Sequence, residues 1–345
     1  MNIHSYSEIF DFWRPNLAPE NFQETITFND VIVTTEGVWK GNELVWDSRH
    51  YFQGFPFNCN LFTGEKYEMM PPKEAVRKIP TTHYIDYYCG WHYGHFITET
   101  LSRCHKLLGA RVDKPITINL SNHNYPVHLY DSMNMPEATY FNHWKWPLFV
   151  TFPSILKEPI EVEELEIATS TFDLGMQVYQ EYFDTTQAYG RKMYRDGHVC
   201  AEKLFLSRSK FNSSFRKTHN EAILDEMMRS DGWLVVHPED YSIGEQIWML
   251  ENSVIVCAAE GSSLHTLSLC NPEHLPAELI ILTQEINETN ISLALQNYAL
   301  GIHSTYINCM TKKNLFYDTD KHFGNYYDLQ IPDPNAILDA IVELT

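Results

Sequence analysis

Hydrophobic and polar positions follow a repeated pattern in the second half of the chain. Short apolar runs at Leu204–Leu206, Trp233–Val236 and Ser253–Ala258 predict buried strands. Each run is followed by a polar loop and then by apolar residues at helical spacing. Because strands that alternate with helices form parallel sheets, we expect three consecutive strand–loop–helix units between residues 204 and 270.

Three helix starts are predicted in this region. Thr218 and Ser242 are each followed three residues later by a glutamate, Glu221 and Glu245, which is the capping-box pattern. A third helix is expected to begin at about Leu264, after a loop of small and polar residues. Each helix would therefore begin shortly after the carboxyl end of a strand.

The same spacing rules predict further elements and a division into domains. The expected strands are Ile26–Thr34, Tyr84–Tyr88, Pro115–Leu120, Glu164–Ala168, Glu278–Leu282 and Thr305–Cys309. The expected helices are Phe96–Leu108, Phe172–Arg195, Asn290–Leu300 and Ala336–Leu344. The length of the chain fits two domains of ordinary size. We expect these at residues 1–185 and 186–330, with a C-terminal helix over residues 331–345.

The composition narrows the classes of partner. A formal net charge of −20 over 345 residues disfavours nucleic acid, because phosphate backbones require basic surfaces. The same charge disfavours attachment to anionic lipids through a polybasic surface. The aromatic content of 14% fits surfaces that stack on carbohydrate, and a tyrosine-rich core explains it as well.

Cysteine usage and the absence of targeting patterns bear on location. No run has the roughly 18–20 apolar residues of a membrane span. The first residues lack the basic start and apolar core of a signal peptide. The seven cysteines are scattered without C-x-x-C spacing, which predicts reduced thiols instead of disulfides or a zinc site. We therefore expect a cytoplasmic protein.

Residues that suit a phosphorylated ligand follow the first predicted strand of the three units. In open parallel sheets, ligands bind just beyond the carboxyl ends of the strands. Arg208 and Arg216 lie there, and a guanidinium group binds phosphate oxygens in bidentate fashion. Together with helix N-termini, two such groups suit a pyrophosphate. Two arginines in a solvated surface loop are the alternative.

The loop after the third predicted strand offers a second set of groups. Glu260 can accept hydrogen bonds from ribose or sugar hydroxyls, or it can stabilise a helix start through the helix dipole. Gly261 permits close approach of the backbone to a ligand. Ser262 and Ser263 can donate to phosphate or cap the helix. His265, one turn further on, either reaches the site or packs in the core.

These blocks resemble glycosyltransferase family 61, which includes bacterial capsular-polysaccharide transferases. One block is L-x-x-S-R at Leu204–Arg208, followed by a second arginine ahead of an Asn-Glu pair and by a strand that ends in a Gly-small-x-Leu loop. The other is Trp91–Arg103, which is similar to the family's Asn-Tyr-Gly-His-aromatic and Asp-x-Leu-Pro-Arg signature. The chain departs from the family pattern at Glu99, Ser102 and Glu260, where members usually carry Asp, Pro and often His.

The resemblance implies an α/β, GT-B-like fold in which two Rossmann-like domains face each other across a cleft. It implies an inverting glycosyltransferase of surface polysaccharide synthesis that uses a nucleotide sugar, with UDP as the expected nucleotide. The acceptor would be a glycan or a lipid-linked glycan bound by the N-terminal domain, and a membrane-bound acceptor would bring the protein to the membrane surface. The alternative is a non-catalytic glycan- or nucleotide-binding relative of the same fold.

His95 and Glu99 are the candidates for the catalytic base. They are four residues apart on a predicted helix and therefore share one face. Inverting transfer needs a group that takes the proton of the acceptor hydroxyl, and either residue could do this while the other orients it. A capping pair or an inter-domain hydrogen-bonding pair is the alternative. Arg103 could bind acceptor or phosphate, or it could pair with Glu99.

Neither a metal nor a cofactor is expected. Asp318-Thr-Asp320 is the one D-x-D motif, which binds metal and diphosphate in the other main glycosyltransferase fold, but it follows the nucleotide-binding units instead of lying within them. Gly261-x-Ser263-x-His265 partly matches a nucleophile elbow and lacks the closing glycine, which disfavours a hydrolase. The sequence contains no P-loop, dinucleotide-binding or zinc-protease motif.

Overall fold

The structure is a computed structural model whose contacts divide the chain into two compact units. The described residues are 2–13, 25–34, 37–47, 72, 74–86, 93–105, 115–119, 154–156, 158–173, 177–197, 199–210, 218–285, 290–316 and 326–345. The C-terminal unit comprises Met1–Leu17, Gly175–Gln177 and Met193–Thr345. The N-terminal unit comprises Ala18–Leu174 and Val178–Lys192.

Strands and helices are numbered in chain order. The strands are β1 (Asn2–Ser5), β2 (Thr25–Val33), β3 (Gly37–Lys40), β4 (Glu43–Asp47), β5 (Arg77–Asp86), β6 (Ile116–Asn119), β7 (Ser154–Ile155), β8 (Ile160–Ala168), β9 (Phe172–Asp173), β10 (Gln177–Val178), β11 (Lys203–Leu206), β12 (Thr218–His219), β13 (Leu234–Val236), β14 (Ile255–Ala259), β15 (Glu278–Thr283), β16 (Ser304–Asn308), β17 (Thr311–Phe316) and β18 (Tyr326–Gln330). The α-helices are α1 (Tyr6–Trp13), α2 (Tyr93–His95), α3 (Gln180–Met193), α4 (Glu221–Ser230), α5 (Ile243–Glu251), α6 (Ile291–Ala299) and α7 (Pro334–Leu344). The 3₁₀ helices are Leu101–Arg103, Pro238–Asp240, Ser262–Leu269 and Pro272–His274.

The C-terminal unit contains a six-stranded sheet in the order β1-β16-β15-β14-β11-β13. The five strands from β11 to β16 in this sheet are parallel, and β1 pairs antiparallel with β16 at the edge. In chain order the parallel strands are arranged 2-1-3-4-5, which is a doubly wound order. Helices α4, α5 and α6 and the 3₁₀ helix Ser262–Leu269 connect successive strands. The α/β class expected from the sequence is confirmed.

The strands of this sheet are apolar because both of its faces are covered. Buried side chains of β11, β14 and β15, among them Phe205, Cys257 and Ile280, pack with Leu224 of α4 and Ile341 of α7 in one hydrophobic cluster. Residues buried on both faces of a parallel sheet give continuous apolar runs in the sequence. This is the physical reason that the three strand predictions succeeded.

The N-terminal unit contains a seven-stranded mixed sheet in the order β4-β3-β2-β8-β5-β6-β7. Strands β8, β5, β6 and β7 are parallel, whereas β2 pairs antiparallel with both β3 and β8. The antiparallel part of the sheet, formed by β2, β3 and β4, differs from the Rossmann-like arrangement that the resemblance implies. Only one part of β2, at Val31 and Val33, is fully buried, and strands with a solvated face are typical of antiparallel pairing.

Two elements belong to a unit other than the predicted domain ranges assign them to. Strand β1 forms the edge of the C-terminal sheet, although the sequence predicts residues 1–185 as one domain. Helix α7 packs against α4 within the same hydrophobic cluster, although the sequence predicts residues 331–345 as a separate helix. Helix α7 buries an apolar face, whereas β1 is largely exposed and joins the sheet through main-chain pairing with β16. Both contacts depend on partners far away in the sequence.

The predicted helix starts have different outcomes. Ser242 forms the expected capping box with Glu245, in which the serine hydroxyl accepts from the Glu245 N–H and the glutamate accepts from the Ser242 N–H. The prediction at Thr218 is wrong, because this residue lies in β12 and pairs with Leu329 of β18. Helix α4 begins after Asn220, which adopts a left-handed conformation with φ of 68°.

Two predicted helices are shorter or less regular than expected. Within the predicted helix Phe172–Arg195, Gln180–Met193 is helical, as α3, whereas Phe172–Asp173 and Gln177–Val178 are strands. The predicted helix Phe96–Leu108 begins with a π-helical turn, Phe96–Thr100, followed by a 3₁₀ turn, and residues 106–108 lie outside the described part. The Thr98 hydroxyl donates to the carbonyl of Gly94 over 2.9 Å, and such back-bonding disturbs the α-helical ladder.

Candidate functional site

The carboxyl ends of β11 and β14 lie side by side in the C-terminal sheet. Leu206 is paired with Ala258, so the loops that follow these two strands leave the sheet at the same edge. The chain order of the strands reverses at this position, since β11 lies between β13 and β14. Such a switch point is where doubly wound sheets bind their ligands. Arg208 and Gly261 therefore lie where the sequence predicts a ligand.

Arg208 is held from two sides. Its main-chain N–H donates to Oε1 of Glu221 over 2.9 Å. Its guanidinium Nη1 reaches the main-chain carbonyl of Glu260 at 3.4 Å, which brings the side chain across the end of β14. A β-carbon at Gly261 would lie 3.1 Å from the same Nη1 atom. Gly261 thus leaves the space that the guanidinium group occupies.

Glu260 is engaged with the protein through both carboxylate oxygens. Oε1 accepts from the main-chain N–H of Asn290 at 2.6 Å, and Oε2 accepts from the hydroxyl of Thr283 at 3.0 Å. Burial raises the pKa of Glu260 to about 7, although these two hydrogen bonds favour the charged form. Asn290 caps α6, so Glu260 ties the end of β14 to the start of that helix. Its hydrogen bonding to a sugar or ribose stays a prediction.

Ser262 and Ser263 begin the 3₁₀ helix that follows Gly261. Both serines are half-buried, and neither caps the helix through its side chain. Among the described residues, neither hydroxyl has a hydrogen-bond partner. Two hydroxyl groups directly after Gly261 in the chain are thus available to donate to a phosphate.

His265 and Arg216 complete the predicted donor set. The His265 ring is buried, and its Nδ1 lies 2.8 Å from Oε1 of Gln296 on α6, while Nε2 of Gln296 donates to the carbonyl of Leu264. This hydrogen bond joins the 3₁₀ helix to α6, and a role of His265 in donor binding stays a prediction. Arg216 lies outside the described residues, in the segment between Lys210 and Thr218.

In the N-terminal unit, Glu99 belongs to the π-helical turn and is only 2% exposed. Arg103, also buried, donates through Nη1 to the main-chain carbonyl of Glu99 over 2.8 Å. His95 ends the short helix α2, and its side chain lies outside the described part of the structure. π-Helical turns inside helices occur often at functional sites.

The sequence analysis missed a group of buried titratable residues next to Arg208. Glu221 and Asp225 lie one turn apart on α4, and His237 follows β13. The signal for the two carboxylates was present, because they share the helix face of Leu224 and Met228, both fully buried. Because Glu221 was interpreted as part of a capping box, its burial on this helix face was not predicted.

Metal sites and membrane spans can be assessed only for the described ranges. Within them, no cluster of three or more His, Cys, Asp or Glu side chains could hold a metal ion. Asp318 and Asp320 of the D-x-D motif lie outside these ranges. No helix in the described ranges is long and apolar enough to span a bilayer.

One known protein family matches the sequence of this chain. The sequence model of the family described as Glycosyltransferase 61 matches residues 93–275, which is more than half of the chain. The chain belongs to glycosyltransferase family 61. The match begins at Tyr93, ahead of the π-helical turn, and includes both loops at the switch point of the C-terminal sheet. Membership in family 61 indicates a glycosyltransferase that uses a sugar donor and a glycan acceptor. No curated protein is similar enough to add a relative to this finding.

Proposed function

We propose that this family 61 glycosyltransferase transfers a sugar from a UDP donor to a glycan or lipid-linked glycan, with inversion at the anomeric carbon. The observation that carries the proposal is the contact of Arg208 with Glu260 and Gly261 at the switch point, where Ser262 and Ser263 follow directly in the chain. A guanidinium group and hydroxyl donors at this edge of the sheet suit a diphosphate. Glu260 would accept from the donor's hydroxyl groups.

The leaving diphosphate accumulates negative charge as the bond from the anomeric carbon to the phosphate oxygen breaks. Arg208 would neutralise that charge, with Arg216 as the second expected guanidinium. Fixed charges aimed at a developing charge stabilise the transition state and need no rearrangement during the reaction. The proposed transfer therefore does not depend on a divalent metal.

The acceptor hydroxyl must lose a proton as its oxygen attacks the anomeric carbon. His95 and Glu99 are the proposed base and its orienting partner, in either order. Support comes from the burial of Glu99 in a π-helical turn directly after His95. His95→Ala and Glu99→Gln should each lower turnover strongly and leave UDP affinity nearly unchanged. The turnover of the double variant should be little lower than that of the less active single variant. Normal turnover with a lower melting temperature would show a structural pair.

The remaining parts of the proposal come from the family resemblance. It implies a GT-B pairing of the two units, acceptor binding by the N-terminal unit and a role in surface polysaccharide synthesis such as capsule formation. We propose a cytoplasmic location, with peripheral contact to the membrane where the acceptor is lipid-linked. The scattered cysteines are consistent with a reducing compartment.

A nucleotide panel tests the donor half of the proposal. Thermal unfolding is measured with UDP, GDP, dTDP and CMP, each in EDTA and again with Mn²⁺ or Mg²⁺. We expect UDP in EDTA to stabilise the protein, by about 2.7 kcal/mol at 100 times its dissociation constant. Binding that requires a divalent metal would refute metal independence and favour Asp318 and Asp320. Binding of UDP without transfer or hydrolysis of any UDP-sugar would favour the non-catalytic alternative.

A further inference from the structure

Three buried titratable side chains lie beside the loop that carries Arg208. Glu221 and Asp225 on α4 are 0% and 3% exposed, and His237 after β13 is 5% exposed. The transfer reaction proposed above gives none of them a role. Their position at the carboxyl ends of β11 and β13 is the same edge of the sheet as the proposed donor site.

The two carboxylates bind neighbouring residues of the Arg208 loop, one residue each. Oε1 of Glu221 accepts from the main-chain N–H of Arg208 at 2.9 Å. Oδ2 of Asp225 accepts from the hydroxyl of Ser209 at 2.6 Å. The N–H of Ser209 in turn donates to the hydroxyl of Ser207 at 3.0 Å. The loop that leaves β11 is thus fixed to α4 at two adjacent positions.

These carboxylates are poorly explained by stability alone. Oε2 of Glu221, Oδ1 of Asp225 and Nδ1 of His237 are buried and have no hydrogen-bond partner among the described residues. His237 Nε2 lies 3.9 Å from Oδ2 of Asp225, which is longer than a hydrogen bond. Burying incompletely paired carboxylates is unfavourable, and apolar side chains at such positions often stabilise a protein more. What an apolar side chain could not supply is an acceptor for the loop.

We propose that Glu221 and Asp225 are positioning residues for the nucleotide diphosphate, acting through Arg208. By binding the main-chain N–H of Arg208 and the hydroxyl of Ser209, they would direct the Arg208 guanidinium across the end of β14, toward the carbonyl of Glu260. A phosphate-binding side chain is effective when supporting hydrogen bonds hold it in place before the ligand arrives. This inference rests on the proposed function, because it assigns Arg208 to the donor.

Variants of Glu221 distinguish the effect of its hydrogen-bond acceptor from the effect of its negative charge. Glu221→Gln retains an oxygen that can accept from the Arg208 N–H, whereas Glu221→Met removes it at similar volume. Ser209→Ala removes the hydrogen bond to Asp225. Glu226→Met changes an exposed residue of the same helix and is the matched control. We expect Glu221→Met and Ser209→Ala to raise the dissociation constant for UDP at least tenfold by calorimetry. Glu221→Gln and Glu226→Met should stay within threefold of wild type.

A readout without ligand separates this inference from the proposed function. Deuterium exchange of the peptide that contains Arg208 should be at least tenfold faster in Glu221→Met and unchanged in Glu226→Met. UDP affinity within threefold of wild type in Glu221→Met, or unchanged exchange, would overturn the proposal. If Glu221→Met does not fold, the affinity limit applied to Ser209→Ala decides. A wild-type protein that binds no nucleotide diphosphate would refute the proposed function and, with it, the donor role of this loop.

Discussion

Gly261→Ala tests the space that Arg208 occupies at the end of β14. The new β-carbon would lie 3.1 Å from Nη1 and 3.7 Å from Cζ of Arg208. The contact with Nη1 is short enough to require a small shift of the neighbour, which is the end of a flexible side chain, whereas the contact with Cζ is an ordinary one. The φ of Gly261 is 168°, an extended conformation that alanine also adopts. The substitution therefore disturbs the guanidinium and leaves the backbone unstrained.

The expected effects on stability and on affinity have opposite signs. Alanine restricts the unfolded chain, which should stabilise the fold by about 0.4–1 kcal/mol before the cost of moving Arg208. A hydrogen bond to a charged group contributes about 1.5–3 kcal/mol, and displacement of the guanidinium should lose roughly half of that. A loss of about 1 kcal/mol corresponds to roughly a fivefold weaker affinity for UDP. We expect an unchanged or higher melting temperature together with weaker binding.

A double-mutant cycle supplies the control. In an Arg208→Ala background the clash partner is absent, so Gly261→Ala should have no further effect on the UDP dissociation constant. Calorimetry on the four proteins measures the coupling directly. Equal affinity of Gly261→Ala and wild type would refute the reasoning. An equal loss in both backgrounds would do so too, because it would show that the alanine obstructs the ligand itself.

Two further predictions follow from the same edge of the sheet. Arg208→Ala should lower turnover by about 10²–10³ through lost stabilisation of the leaving diphosphate, whereas Lys210→Ala, which alters an exposed lysine paired with Asp240, should have little effect in the same kinetic assay. Burial raises the pKa of Glu221 from 4.5 to about 7, so the folded state binds a proton that the unfolded state releases between these values. The free energy of unfolding of wild type should therefore fall by roughly 2–3 kcal/mol, relative to Glu221→Gln, as the pH rises from about 4.5 to 7, and then level off. Denaturant titrations at pH 5 and pH 8 measure this difference, and parallel curves for the two proteins would contradict it.

The sequence alone determined the local elements of the C-terminal unit. Buried parallel strands require continuous apolar runs, so β11, β13 and β14 were recognisable without any knowledge of their partners. The capping box at Ser242 was predictable because all of its hydrogen bonds lie within four residues. Arg208 and Gly261 could be placed at the carboxyl ends of their strands for the same reason, since the direction of the chain fixes which loop follows a strand.

Tertiary structure decided which of these loops meet. The adjacency of β11 and β14 depends on pairing between segments that are about 50 residues apart, and it brings Arg208 to Gly261. Long-range strand pairing also overrode local patterns: Thr218 pairs in a strand instead of capping a helix, and β1 joins a sheet whose other strands lie in the second half of the chain. The carboxylate of Glu221 fitted a local cap by spacing, yet it binds the Arg208 loop. Helix α4 packs where it does because its apolar face is buried against the sheet. The polar groups of α4 then form hydrogen bonds with the loop that this packing brings next to them.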